Sequence, residues 1–380
     1  MDYFKKSLEI HKKTNGKIAT QMKVLADTVE DLSIVYSPGV AAPCMKIFEN
    51  KNVIYQYTIK SNTVAIISDG SAVLGLGNIG ADASLPVMEG KALLLKRFAG
   101  INAFPICIKT QNTEEIINIV KNISTSFGAI NLEDIAAPRC FEIEQRLIDE
   151  LDIPVFHDDQ HGTAIIVLAG LINASKLLKK NLTNLKVVIN GSGAAGIATA
   201  KLLLYAGIDD ITICDSKGII YEGRDNLNND KKKIARETNK KLIRGNLQDA
   251  MIGRDVFIGL SQGNILTNVM VRSMNKNSII FALANPIPEI MPEEAYNAGA
   301  KIVATGRSDY PNQINNVLAY PGIFKGVLEG RIKKITKQIM KDASYAIASC
   351  VDDEELDYSL IIPNPFNEYV CEKVAKAVQK

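Results

Sequence analysis

Apolar stretches of strand length alternate with amphipathic stretches of helix length along almost the whole chain, and this alternation predicts an α/β fold with largely parallel sheets. In the first half, Thr63–Ser68 (TVAIIS) and Ala103–Ile108 read as strands. Asn112–Ile123 (NTEEIINIVKNI) reads as a helix opened by an Asn cap with a Glu three residues on. Phe127–Leu132 and Ile153–Phe156 are two more short strands, and the helix between them carries Pro138 in its first turn, where a missing N–H does no harm. From Gly162 a long apolar helix (TAIIVLAGLINASKLLKK) leads into a second series of strands, at Lys186–Asn190, Ile211–Cys214, Asp255–Leu260, Ser278–Leu283 and Lys301–Thr305. The boundary between the two series falls near Asp159–Gly162. It divides the chain into an N-terminal α/β substrate and catalytic domain, residues 1–160, and a doubly wound domain with C-terminal helices, residues 161–380. The helices after Lys325 are free to pack on either domain.

Composition narrows the function. A length of 380 residues, 47% hydrophobic and 23% charged, fits a two-domain globular protein. Forty-four basic against 42 acidic residues leave a net charge of +2, so no nucleic-acid or membrane-surface partner is expected. The run Lys231–Lys233 follows Asn and Asp residues and reads as a solvated helix start. The six cysteines are scattered, most of them in apolar stretches, which fits reduced thiols in a reducing compartment. The N-terminus has no signal-peptide core, and the most continuous apolar run, Ala164–Ile172, is too short to span a bilayer. A cytoplasmic location is the expectation.

Two segments fit G-x-G-x-x-G: Gly75–Gly80 (GLGNIG) and Gly191–Gly196 (GSGAAG). Context separates them. The second follows the strand LKVVIN and opens the helix IATAKLLLYAGI, and the next strand ends in Asp215, about 20 residues on. Gly191 would permit the tight turn, Gly193 the approach of a pyrophosphate, and Gly196 the packing of helix on strand. Ala194 and Ala195 would offer N–H groups at the helix start, and Asp215 would accept from the adenosine ribose. This marks the second domain as Rossmann-type, binding NAD, with NADP possible. Gly75–Gly80 lacks the preceding strand and the following acid, and reads as a sharply bent loop.

Glu133 and Asp134 end the strand FGAINL, and Asp158 and Asp159 follow IPVFH. If these strands are parallel neighbours, four carboxylates gather at one end of the sheet, where they repel one another unless a cation sits among them. Oxygen donors favour Mg²⁺ or Mn²⁺. The three histidines, His11, His157 and His161, are too poor a set for zinc. On spacing alone the acids serve equally as helix N-caps. Taken singly, Tyr36 in YSPGVAAP is an ordinary packing residue, and Lys91 in VMEGKA an ordinary helix surface residue.

The ordered set YSPGV, SDGSAVLGLGNIG, PVMEGKA, NLEDI, HDDQHGTA, GSGAAG, ALANP and NQINNV resembles the malic enzymes, most of all their short bacterial and archaeal branch, from about Tyr36 to Phe324. The resemblance implies oxidative decarboxylation of L-malate to pyruvate and CO₂ with reduction of NAD or NADP. It implies Lys91 as general base, Tyr36 as general acid, and Glu133, Asp134 and Asp159 as metal ligands. Asp158 would support the lysine, and Asn285 and Asn315 would contact substrate and nicotinamide. It further implies a homodimer in which a neighbouring subunit completes each site, with the Tyr36–Lys91 pair as the candidate contribution. One position departs from the longer eukaryotic branch, where the loop opened by Asp-Gly carries an arginine for a malate carboxylate; Ala72 stands there in this chain. The runner-up activity is a malolactic or oxaloacetate-decarboxylating relative. From another class, a silent dinucleotide sensor would have no need of Tyr36, Lys91 and the acid set.

Overall fold

Four parallel strands, β1 (Thr63–Ser68), β2 (Asn102–Cys107), β3 (Ala129–Leu132) and β4 (Val155–His157), form the first sheet in the order β2-β1-β3-β4. This computed structural model describes residues 2–73 and 75–380; Leu74, just before the first glycine-rich segment, lies outside the described residues. β1 is buried along its full length because helices cover both faces. Val64 and Ile66 face a core with Met88 and Leu95 of helix Gly80–Ala99, while Ala65 and Ile67 face Ile116, Ile143 and Leu147 on the other side. The β3–β4 register pairs Leu132 with His157, so the chain leaves both strands at the same end of the sheet.

Several boundaries shift for local reasons. β3 opens at Ala129, because the Phe127 N–H closes the preceding turn on Ser124 and the Gly128 N–H bonds Thr63. Pro138 precedes the helix Arg139–Glu150 as its cap residue and does not sit in the first turn. The long helix starts at Asp158 and not at Gly162, which puts both acids of HDD in its first turn, and it crosses the expected 160/161 boundary without a break.

The second sheet has six strands, β5 (Val187–Asn190), β6 (Ile211–Asp215), β7 (Gly218–Ile219), β8 (Val256–Gly259), β9 (Ile279–Ala282) and β10 (Ile302–Thr305). Their order is β10-β9-β8-β5-β6-β7, and all neighbours are parallel except β6 and β7. β7 escapes the sequence pattern because two residues carry no periodicity. β5 lies between β6 and β8, where the strand order reverses and a crevice opens outside the carboxyl ends.

The helix Asp158–Leu177 is buried on all sides over Ala164–Leu171, packed against helices Ala194–Tyr205 and Lys337–Ala348. One core therefore runs from Val64 and Met88 through Ile165 to Val187 and Phe281, joining the two sheets. The C-terminal helices bridge both halves. Tyr320–Glu329 returns to the helix of Lys91, and Tyr369–Val378 packs on it and on Lys337–Ala348. At the other end, helices Tyr3–Thr14, Val29–Val35 and Ala41–Glu49 bury no residue, and leave Phe4 85%, Val29 82% and Phe48 81% exposed. Among the described residues no helix is long and apolar enough to cross a membrane.

Candidate active site

Parallel pairing of β3 and β4 brings the acids of NLED and HDD together. Glu133, Asp134 and Asp159 each direct a carboxylate oxygen to within 4.8 Å of the other two. Asp134 sits in the left-handed region at φ 55°, held there by two bonds: its N–H donates to Asp159 Oδ2 at 2.7 Å, and its carbonyl accepts from the Ala72 N–H. The Ala72 loop is itself tied down. Asp69 accepts from Ser71 and from Arg139, and Ser71 Oγ accepts from the Ala136 N–H.

Lys91 reaches this cluster from the helix Gly80–Ala99. Its Nζ lies 2.5 Å from Asp158 Oδ2 and 2.7 Å from Glu133 Oε1, and 4.4 Å above the centre of the Tyr320 ring. Asp158 Oδ2 also accepts from Asn316 Nδ2, and Glu133 Oε2 from Asn131 Nδ2. Behind the cluster, buried Glu144 accepts from the His157 N–H and from Gln160, and its carboxylate meets His161 Nε2. That knot fixes the turn from β4 into the helix and so aims Asp158 and Asp159.

The electrostatics are those of crowded anions under one cation. Burial, then the charges of Asp159 and Glu133, push Asp134 up to about 9. Burial raises Asp158 to about 7, against the pull of Lys91. Asp159, a third of whose side chain stays open, is raised to about 6 by the desolvating walls of the cleft. Burial disfavours the Lys91 ammonium, but Asp158 and Glu133 outweigh it and hold the group well above its usual value. Asp134 Oδ2 and Asp158 Oδ1 are buried with no hydrogen-bond partner. An orphaned carboxylate oxygen inside an all-oxygen donor set is what a hard divalent cation would satisfy, and these residues fit one.

The remaining candidates divide. Asn285 follows β9 with a cis bond to Pro286 and lies against the Gly75 turn of the first half, across the cleft between the sheets. Asn315 turns its Oδ1 onto the Val317 N–H and caps its own short turn; the neighbouring Asn316 makes the bond to Asp158. Tyr36 stands apart. It is 67% exposed, at the end of helix Val29–Val35, and is not among the partners of Lys91. Lys91 meets the carboxylates of its own chain.

In the second half, Gly191 turns with φ +124°, where an added Cβ would lie 2.4 Å from the Leu260 carbonyl. A Cβ on Gly196 would lie 1.9 Å from Gly191 O, whereas one on Gly193 would meet nothing within 4 Å. The loop is thus closed on the protein side and open toward the crevice, ahead of the N–H groups of Ala194 and Ala195 at the start of helix Ala194–Tyr205. Asp215 ends β6 as expected, but its carboxylate is taken up by the Lys217 N–H, Arg224 and Lys231. Burial opposes its charge, and these donors prevail, holding it at about 2. Gly75, Gly77 and Gly80 all have positive φ and make the bend that launches the Lys91 helix.

Sequence reasoning passed over Asn131, Asn316, Tyr320 and Arg224, and read Lys231, which bonds Asp215, as solvated. A polar Asn131 inside an otherwise apolar strand and the doubled Asn in NQINNV were available signals. For Arg224 no local signal existed.

Fold and site together define a two-domain α/β protein with an open glycine loop in one half and a buried lysine–carboxylate cluster at the cleft with the other. The malic enzyme N-terminal domain matches residues 14–148 and the malic enzyme NAD binding domain residues 160–380. The chain belongs to the malic enzyme family. It is 55% identical to a bifunctional malic/malolactic enzyme of Bacillus subtilis, over 100% of this chain and 93% of that protein. It is 54% identical to an NAD-dependent malic enzyme of Geobacillus stearothermophilus, over 96% of this chain and 76% of that one. The crystal structure of an NAD-dependent malic enzyme from Thermotoga maritima superimposes with a TM-score of 0.95 at 51% identity, covering 98% of each chain.

Proposed function

We propose that this protein oxidatively decarboxylates L-malate to pyruvate and CO₂ in the cytoplasm, reducing NAD in preference to NADP and requiring Mg²⁺ or Mn²⁺. The observation that carries this reading is Lys91, buried in the same cleft as three convergent carboxylates and bonded to a fourth. Glu133, Asp134 and Asp159 would hold the metal. When bound there, a dication supplies the positive charge that polarises the C2 oxygen and offsets Glu133, and the dinucleotide supplies the hydride acceptor.

The protein's own groups supply the proton transfers. Burial and a dication held beside it would both disfavour the Lys91 ammonium, and the neutral amine then takes the proton of the C2 hydroxyl. Asp158, steadied by Asn316, keeps the amine aimed, and the Tyr320 ring closes the space behind it. Asn285, at the end of β9, and Asn315 remain the candidates for contacts to substrate and nicotinamide. Proton delivery to C3 falls to Tyr36.

Tyr36 is 67% exposed in its own chain and is not among the partners of Lys91, which supports an acid supplied by a second copy. The exposed apolar residues of the N-terminal helices, among them Phe4, Leu8, Val29 and Phe48, support a homodimer built on this arm. On this reading Tyr36 is the candidate contribution of the partner, while Lys91, bonded to Asp158 and Glu133, serves the chain that carries the carboxylates.

Formation of reduced nicotinamide, followed by its absorbance with malate, Mn²⁺ and each of NAD and NADP, tests the activity. No reduction with either dinucleotide, by folded protein, overturns it. The name of the Bacillus subtilis relative favours a second reading, malolactic turnover at the same site. Lactate accumulating without net NADH would select it.

A further inference from the structure

Glu289 lies under the carboxyl ends of β8 and β9 and is 0% exposed. Its carboxylate is gripped from two loops. Oε1 accepts from the Ser261 N–H at 3.1 Å, just past β8, and Oε2 accepts from the Ala284 N–H at 3.0 Å, just past β9. Ser261 is tied in turn to the end of β5, where Asn190 Nδ2 donates to its Oγ at 2.7 Å. The last residue of β8 makes the room, since a Cβ on Gly259 would lie 2.2 Å from Glu289 Cδ. Among the described residues no lysine, arginine or histidine pairs with this carboxylate, and its partners are backbone N–H groups. Both oxygens serve as acceptors, which suits the ionised form. Burial raises the carboxyl above its ordinary value, and the backbone donors oppose that rise. A negative charge buried without a cation is costly, and a positive charge arriving nearby relieves it.

We infer that Glu289 is a specificity residue for the oxidation state of the dinucleotide: its buried charge favours the cationic, oxidised nicotinamide over the neutral, reduced ring. The inference rests on the dinucleotide reading proposed above. In this architecture the ligand lies outside the carboxyl ends, across the reversal of strand order, which here has β6 on one side of β5 and β8 with β9 on the other. The glycine loop follows β5 and Asp215 ends β6, so the adenosine half takes that side and the nicotinamide half is left to β8 and β9. Asn285, a candidate contact to the nicotinamide, directly follows the residue whose N–H Glu289 holds. The ring is positively charged only while oxidised, and accepting a hydride removes that charge. The attraction of Glu289 is therefore present before the transfer and lost after it. Low-dielectric surroundings extend the reach of a buried charge to a ring it does not touch. The oxidised form is held, and the reduced form is released more readily.

Calorimetric titration of the full-length protein with NAD⁺, NADH and ADP-ribose, which lacks the nicotinamide, tests this. Glu289→Gln removes the charge with little change of shape. It should weaken NAD⁺ relative to NADH by about three- to tenfold, the worth of one partly screened charge, and leave ADP-ribose within about twofold. Glu289→Asp keeps the charge but draws it back from the two N–H groups. It should weaken NAD⁺ and NADH together and hold their ratio within about twofold of wild type. An unaltered ratio in Glu289→Gln overturns the proposal and leaves the residue a tie between loops. Should Glu289→Gln fail to fold, wild type decides: NAD⁺ bound at least as tightly as NADH supports the proposal, and NADH bound more tightly overturns it. If wild type binds neither NAD⁺, NADH nor ADP-ribose, the dinucleotide reading itself falls and takes the inference with it.

Discussion

Lys91 Nζ stands 2.5 Å from Asp158 Oδ2, and both side chains are buried, one on the helix that follows the glycine-rich bend and the other at the start of the helix that joins the two sheets. The pair couples the chemistry to the packing of the cleft. Lys91→Ala is expected to slow malate oxidation about 10²–10⁴-fold. It should also destabilise the metal-free protein by about 3–5 kcal/mol, toward the lower end because Asp158 is able to take up a proton. Urea midpoints beside steady-state rates check both. A variant with wild-type turnover would remove Lys91 from the base role.

Metal dependence follows from the orphaned Asp134 oxygen among three converging acids. Chelation should abolish malate oxidation, and Mn²⁺ or Mg²⁺ should restore it. Mn²⁺ at a hundred times its Kd should stabilise wild type by about 2.7 kcal/mol, seen as a rise in Tm. Asp159→Ala should lose that rise while still binding dinucleotide. Full activity in a metal-free preparation would sink the assignment.

The separation of Tyr36 from Lys91 makes a complementation test sharp. Tyr36→Phe and Lys91→Ala, each inactive alone, should regain activity when mixed and allowed to exchange subunits, since one site of each hybrid then holds both native residues. A mixture of Lys91→Ala with Asp159→Ala should stay inactive, because those two residues serve the same chain's site. The opposite pattern would return Lys91 to the partner.

The glycine loop separates folding from binding. Gly196→Ala puts a Cβ 1.9 Å from Gly191 O, so it should lower stability by about 1–3 kcal/mol and impair dinucleotide binding together. Gly193→Ala meets nothing within 4 Å in the protein, so its Tm should stay near wild type while dinucleotide affinity falls. A Gly193→Ala protein with native affinity would move the pyrophosphate elsewhere.

Asp215 also predicts a pH signature. Its carboxyl, held at about 2 in the folded protein, lies below its unfolded value. The stability it contributes is therefore complete above about pH 4 and fades as pH falls toward 2. Asp215→Asn should be less stable than wild type at neutral pH and converge with it in acid, as urea midpoints across that range would record. A constant gap between the two proteins would contradict the linkage.

The alternation of apolar runs and amphipathic stretches was enough to establish two parallel-sheet domains, because a strand covered on both faces and a helix packed along one side leave periods that can be read locally. The strand–glycine–helix–acid series around Gly191 and Asp215 was legible for the same reason, since each of its parts answers a backbone requirement of its own segment. Side-chain partnership across the fold was not. That Asn316 and not Asn315 bonds Asp158 depends on which way a short turn faces the Asp158 helix. That Arg224 and Lys231 close on Asp215 depends on a two-residue strand folding back beside β6. That Tyr36 stands exposed depends on how a helix that buries none of its residues is placed on the rest of the chain. Contacts of this kind join residues brought together by separate turns, and no local period records them; only the packed tertiary structure decides them.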